Sequence, residues 1–449
     1  MTELWSAAAE VLRGNWVGTA TLPSRDQYPH QWSWDSAFIS VGWAHIDPAR
    51  AQQELVSLFR GQWSSGRVPQ IVFNSDADPE AYFPGPDFWR SDTVDEAPVS
   101  PTSGIVQPPV HARAVLTAYE AESQSAAGKE FLRLMYPRLV AWHAYLRRCR
   151  ELDGTGLASI VHPWESGLDN SPAWDHVLAD QEYSDHDAFV RRDLAHVSRV
   201  NRPTDADYRA YVALAREYRD AGYSDHALPD HRFVVEDPLF NAVLLDAELC
   251  CAAIADVLGA DADQHARRAF RLHESMMRYL WDPASRRFRS RDARTGVQSQ
   301  VDTIGSLMPL LDPWLSTDVL ADLEKLVWSE NFIGGCEYPI PSTALTADVF
   351  DQQRYWRGPT WINTNWLLWT AAGEANLPGL AGRIAQASIE LVRRSGFREY
   401  FDPLNGKGLG ADHFSWTAAL TLDFLSSDGR PHALRKNATL AAIRGTGDP

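Results

Sequence analysis

The sequence reads as an all-α protein, and the architecture it fits is a closed ring of helical hairpins, an (α/α)6 toroid. Apolar residues recur at helical spacing in about a dozen segments of similar length. Alternating, strand-like runs are scarce and short. No Pro-, Gly- or Ser-rich linker divides the chain, so a single domain over 1–449 is expected, with loop insertions around 64–108 and 170–203 forming a pocket rim. A helical array is the alternative, because periodicity does not report ring closure.

Taken in order, the helical segments are 3–12, 35–43, 49–63, 110–121, 131–149, 204–218, 238–258, 262–281, 317–328, 360–372, 380–392 and 415–425. In 131–149 the set Phe131, Met135, Leu139, Trp142 and Leu146 steps by three and four, which places one apolar face on one side of a helix. Asp237-Pro238 and Asp282-Pro283 are start or stop signals.

The composition, 45% hydrophobic and 22% charged over 449 residues, is that of a globular protein with a large core. A net charge of −17 argues against nucleic acid as partner, because phosphates attract the opposite sign. It leaves open an anionic small substrate. The first residues lack a cationic, then apolar, leader pattern, and no window approaches the apolar length of a membrane span. Cys149, Cys250, Cys251 and Cys336 form no dense disulfide framework, so reduced thiols in the cytoplasm are expected. The chain has 18 Trp, 14 Tyr and 17 Phe, and many of them fall in Gly/Pro-rich connections. An indole face stacks on the C–H face of a pyranose, so these aromatics point to a sugar ligand.

Trp164-Glu165-Ser166-Gly167-Leu168-Asp169-Asn170-Ser171-Pro172 sets two carboxylates four positions apart in a bent, apolar stretch. A carboxyl shielded by indoles keeps its proton to higher pH, as a general acid must. Asp169 or Ser171 could equally cap a helix opening at Pro172. Breaking a glycosidic bond takes two carboxyl groups of opposite duty and neither metal nor cofactor. Asp169 is the candidate acid and Glu399 the second carboxylate, with a solvated partner of Arg398 as the alternative for Glu399. Asp35, after Trp34, is either a sugar-hydroxyl ligand or an N-cap. No His-Glu-x-x-His occurs, and His162, His176, His186 and His196 lack metal-ligand spacing, so no metal is expected. Gly406-Lys407-Gly408 lacks the context of a phosphate loop, Asn74–Asp78 that of a calcium loop, and no Gly-x-Ser-x-Gly elbow appears.

Together Trp164-Glu165-Ser166-Gly167-Leu168-Asp169-Asn170-Ser171, Tyr355-Trp356-Arg357-Gly358-Pro359-Thr360-Trp361 and Glu399-Tyr400-Phe401-Asp402-Pro403 resemble glycoside hydrolase family 63, and within it the bacterial hydrolases of mannosylglycerate and glucosylglycerate. The resemblance runs from Tyr28 to Ala419. It implies an (α/α)6 barrel and an inverting mechanism, with Asp169 as general acid and Glu399 as the base that activates water. Inversion needs the two carboxyls about 6.5–9.5 Å apart. It also implies that Asp35 lines the sugar site and that Trp34, Tyr82, Gln107, Trp356 and Trp361 match pocket positions. Trp164 and Arg357 stand in the same motifs, Tyr28 in Tyr28-Pro29-His30-Gln31-Trp32-Ser33-Trp34-Asp35 and Trp416 in Ser415-Trp416-Thr417-Ala418-Ala419. In Arg202-Pro203-Thr204-Asp205-Ala206-Asp207-Tyr208 the resemblance assigns Arg202 and Tyr208 to a glycerate carboxylate, a pairing that two parallel guanidinium bonds and a phenol suit. From residues alone, Thr204 as a helix cap with a solvated Arg202 is the alternative. His413-Phe414 departs from the pattern of the glucosylglycerate enzymes, which have polar Gln there. The implied partner is a small glycoside, best read as glucosylglycerate or mannosylglycerate; loop motion is expected in 175–193.

Overall fold

The computed structural model describes residues 2–122, 125–179 and 189–426. Part of the 175–193 stretch, residues 180–188 with His186, lies outside the described residues. Six segments form an inner ring: Ser33–Ala44, His111–Ala121, Pro238–Leu258, Ile304–Leu311, Ile362–Glu374 and Ser415–Ser426. Each packs on the next in chain order and the last packs back on the first. That closure makes the fold a toroid and removes the array alternative. Thr2–Asn15, Pro48–Phe59, Ala126–Cys149, Asp263–Tyr279, Thr317–Val327 and Pro378–Ser395 form the outer layer.

Composition sorts the two layers. All twelve residues of Ser33–Ala44 are buried, as are eighteen of the twenty-one in Pro238–Leu258. A helix apolar all round has nowhere to go but inside. Asp263–Tyr279 instead buries only His265, Ala266, Ala269, Leu272 and Met276, one stripe at steps of one, three and four. Side chains fix the starts: Asp47 accepts from the Arg50 N–H at 3.2 Å, Ser125 from Gly128 at 2.9 Å and Asp237 from Phe240 at 3.0 Å.

Three sequence expectations need correction. The sixth inner place is taken by Ile304–Leu311, a 3-10 stretch with Pro309 inside, too short and too interrupted to show a helical period. The helix predicted at 204–218, observed as Asp205–Asp220, stands outside the ring. It packs in a second apolar cluster with Trp32, Trp63, Trp89 and Trp164. Lastly, Pro238–Leu258 does reach the length and mean hydropathy of a membrane span; its most apolar window is wholly buried among the other helices, and core burial explains its composition.

Among the described residues no strand exceeds two residues. The short pairs tie loops together near the N-terminal ends of inner helices. Gln31–Trp32 runs antiparallel to Ile71–Val72, and Tyr400–Phe401 pairs with Gly408–Leu409 in a hairpin. An isolated bridge joins Thr360 to Phe401.

Candidate active site

The pocket is built where those inner helices begin. Trp32, Trp34 and Asp35 come from the start of Ser33–Ala44, Gln107 from just before His111, Tyr355 and Trp356 from the loop before Ile362, and Phe414 and Trp416 from the start of the last inner helix. Tyr28, Gln70, Tyr82, Trp164, Asp169 and Glu399 complete the wall. Asp169 and Glu399, separated by more than half the chain, therefore line the same pocket.

Asp169 sits on a tight turn. Gly167 adopts φ +72, and a Cβ there would stand 2.5 Å from the Trp34 ring, so only glycine lets the loop lie on that indole. The Asn170 carbonyl oxygen of the side chain accepts from the Trp356 N–H at 2.8 Å, and the Trp174 indole N–H donates to the Asp169 carbonyl at 3.2 Å. Loss of hydration pushes the Asp169 carboxyl up to about 7, with nearby Glu399 adding to the rise and Arg202 opposing it. Burial also holds the Asp35 carboxyl well above the usual range, reinforced by Glu399, Asp169 and Glu54. Asp35 does not cap its helix; the N-cap is Trp32, and Asp35 lies in the first turn, buried on the pocket side.

Glu165, the other carboxylate of that motif, has a structural task. It is fully buried, takes a bond from Arg150 Nη1 at 3.0 Å, and accepts from the Val161 and Val106 N–H groups at 2.7 and 3.1 Å. It thereby fastens the motif to two neighbouring loops. Arg150→Met leaves that carboxylate without its cation. Urea unfolding should then show a stability loss of about 3–5 kcal/mol, the range for breaking a buried pair.

Glu399 precedes the hairpin strand Tyr400–Phe401. Its N–H donates to the Ala411 carbonyl at 2.9 Å, and the Ala411 N–H returns to Glu399 Oε2 at 2.9 Å. Tyr28 Oη donates to Oε1 at 2.7 Å, and Arg202 reaches Oε1 and Oε2 at 3.4 and 3.1 Å. Glu399 is thus gripped by Arg202, and its sequence neighbour Arg398 pairs with Asp412. Gly410 makes this cradle possible: at φ +67, a Cβ would lie 2.4 Å from Glu399 Oε2 and 2.5 Å from the Tyr400 ring. Gly410→Ala should lower kcat by roughly 100-fold, since displacement by about 1 Å is enough to spoil a reacting geometry, and it should lower the thermal unfolding temperature as well, because alanine is strained at this positive φ.

Ten of the fourteen candidate residues line the pocket: Tyr28, Trp34, Asp35, Tyr82, Gln107, Trp164, Asp169, Trp356, Glu399 and Trp416. The other four stand behind it. Trp361 stacks on Trp356 at 3.7 Å and 5° and on Tyr400 at 4.4 Å. Arg357 pairs with Asp175 at 2.6 Å. Tyr208 donates to the Phe83 carbonyl at 2.9 Å, and Arg202 holds Glu399. Thr204 does cap its helix, through a reciprocal box with Asp207.

The pocket also contains residues that sequence reasoning left off. Gly167 and Tyr355 lay inside quoted motifs, and Tyr355 has an uncommon φ of 44 for a bulky residue. Phe414 puts an aromatic edge against Tyr28 at 5.8 Å. Gln70 carries no local mark; only the pairing of Gln31–Trp32 with Ile71–Val72 brings it in. Gln70 Oε1 and the Trp416 indole nitrogen are buried without a protein hydrogen-bond partner.

Residues 28–417 match the family described as the mannosylglycerate hydrolase MGH1-like glycoside hydrolase domain. The chain is 39% identical to a mannosylglycerate hydrolase of Rubrobacter radiotolerans, over 94% of this chain and 96% of that one. It is 35% identical to a glucosylglycerate hydrolase of Mycolicibacterium hassiacum, over 94% and 98%. A crystal structure of the family 63 mannosylglycerate hydrolase from Thermus thermophilus, in complex with Tris and D-glycerate, superposes with a TM-score of 0.88 at 38% identity, over 94% of this chain and all of that one.

Proposed function

We propose, for a chain that belongs to the mannosylglycerate hydrolase MGH1-like glycoside hydrolase family, the hydrolysis with inversion of a small α-glycoside whose aglycone is glycerate: mannosylglycerate, glucosylglycerate or both. The single observation behind this reading is the pairing across one pocket of a carboxyl pushed up to about 7, Asp169, with a carboxylate held in a cradle of donors, Glu399. Asp169 protonates the leaving oxygen. Glu399 takes a proton from water, which attacks the anomeric carbon from the opposite face and releases the hexose as its β-anomer. The sugar stacks among Trp34, Trp164, Trp356 and Trp416, and Asp35 and Gln107 answer its hydroxyls.

The chain works as one catalytic domain, with the loops around 64–108 and 170–203 as its rim. It resides in the cytoplasm, a setting that suits four free cysteines. A proton NMR time course on mannosylglycerate and glucosylglycerate, with kojibiose and trehalose alongside, tests the reading. A β-hexose signal that precedes mutarotation is expected from the glycerate glycosides. Turnover of the neutral sugars alone, or an α-hexose as first product, overturns it.

A further inference from the structure

As its donors are arranged, Glu399 has no acceptor position open to water. An ionised carboxylate offers about four acceptor positions, and here all are taken: Tyr28 and Arg202 Nη1 on Oε1, Arg202 Nη2 and the Ala411 N–H on Oε2. The pair is closed in, with Arg202 3% and Glu399 1% exposed. One partner must leave before water can be deprotonated. Ala411 is main chain of the same hairpin, and the Tyr28 ring is packed edge-on against Trp32 and Phe414 at 5.2 and 5.8 Å. Arg202 is held differently. Its guanidinium lies over the Tyr355 ring at 4.7 Å and near the Tyr28 ring at 5.7 Å, and its Nε–H is buried with no acceptor. A stacked guanidinium with an unanswered donor can turn on the aromatic face and take a second carboxylate with two parallel bonds.

We propose that Arg202 is a clamp on the base, opened by the carboxylate of the substrate's aglycone. The inference rests on the glycerate reading above and concerns what that carboxylate does on arrival. It competes with Glu399 for the Nη groups of Arg202; as the guanidinium transfers to it, Glu399 regains the lone pair that water needs. No proton moves in this exchange, only hydrogen-bond partners. A glycoside with a neutral aglycone binds and leaves the base gripped, so selection against it falls on kcat and not on KM. Arg202 is therefore a positioning residue that reads the charge of the aglycone.

α-Mannosyl and α-glucosyl fluoride separate the two roles, because fluoride leaves without protonation and the aglycone side stays empty. Saturating D-glycerate should stimulate hydrolysis of these fluorides by the wild-type chain several-fold, and glycerol, the same skeleton without the carboxylate, should not. Arg202→Gln should hydrolyse the fluorides at the stimulated rate and ignore D-glycerate. Unchanged or merely inhibited fluoride hydrolysis by wild type in the presence of D-glycerate overturns the clamp, and this arm stands even if the variant does not fold. Hydrolysis of mannosylglycerate or glucosylglycerate without any such stimulation sinks the clamp alone. Inactivity on both glycosides sinks the function instead.

Discussion

Asp169→Asn is expected to lower kcat on a glycerate glycoside by ~10²–10⁴-fold while sparing hydrolysis of the matching α-glycosyl fluoride, measured with D-glycerate present. The asparagine amide fills the same turn over Trp34 but has no proton to give. An alkoxide leaving group needs that proton; fluoride does not. The pH profile gives an independent check. Burial pushes the Asp169 carboxyl up to about 7, so its protonated form persists to that pH and is lost above it. Wild-type kcat/KM on the glycoside should therefore fall on the alkaline side from about pH 7, and that limb should be absent for the fluoride and for the variant. A variant that keeps wild-type glycoside turnover would remove Asp169 from the chemistry.

How far the sequence reveals such a site depends on how local its causes are. The acid turn is legible locally, with Gly167 at φ +72 two positions before Asp169, although Trp34 and Trp356 come from afar to pack on Gly167 and bond Asn170. Which of Glu165 and Asp169 does the chemistry was not legible from spacing. Arg150, fifteen residues upstream of Glu165, ties the former into the fold, and of the two only Asp169 lines the pocket. The cradle of Glu399 is still less local, with Tyr28 371 positions away and Arg202 197. Arg398 alone suggested an ordinary surface pair, and the guanidinium that holds Glu399 comes from across the fold.

The same distinction runs through the fold. Amphipathic outer helices announce themselves by a stripe, and most inner ones by continuous apolarity. Ile304–Leu311 has the apolarity without the length, and Pro309 breaks its period. It is helical because neighbours on both sides of the ring hold it. The helix Asp205–Asp220 shows the converse error: a clear stripe proves a buried face but not which core buries it.

Glu399→Ala should be as damaging as loss of the acid and differ from it in kind. Turnover falls by roughly 10³-fold or more, on the fluorides as well as on the glycosides, since water activation is common to both. Glu399→Gln is a poorer probe, because its amide N–H groups would meet the Ala411 N–H or the Arg202 donors that now face an anion. Truncation to alanine leaves space beside Tyr28 where the carboxylate stood. Azide placed there is already nucleophilic and needs no base, so it should restore breakdown of an α-glycosyl fluoride. Azide entering from that side displaces fluoride with inversion, and the product is then the β-glycosyl azide. An α-azide would place the nucleophile on the face of Asp169 and so exchange the duties of the two carboxyls. Rescue with the β-product ties the stereochemistry of the reaction to the side of the pocket on which residue 399 stands.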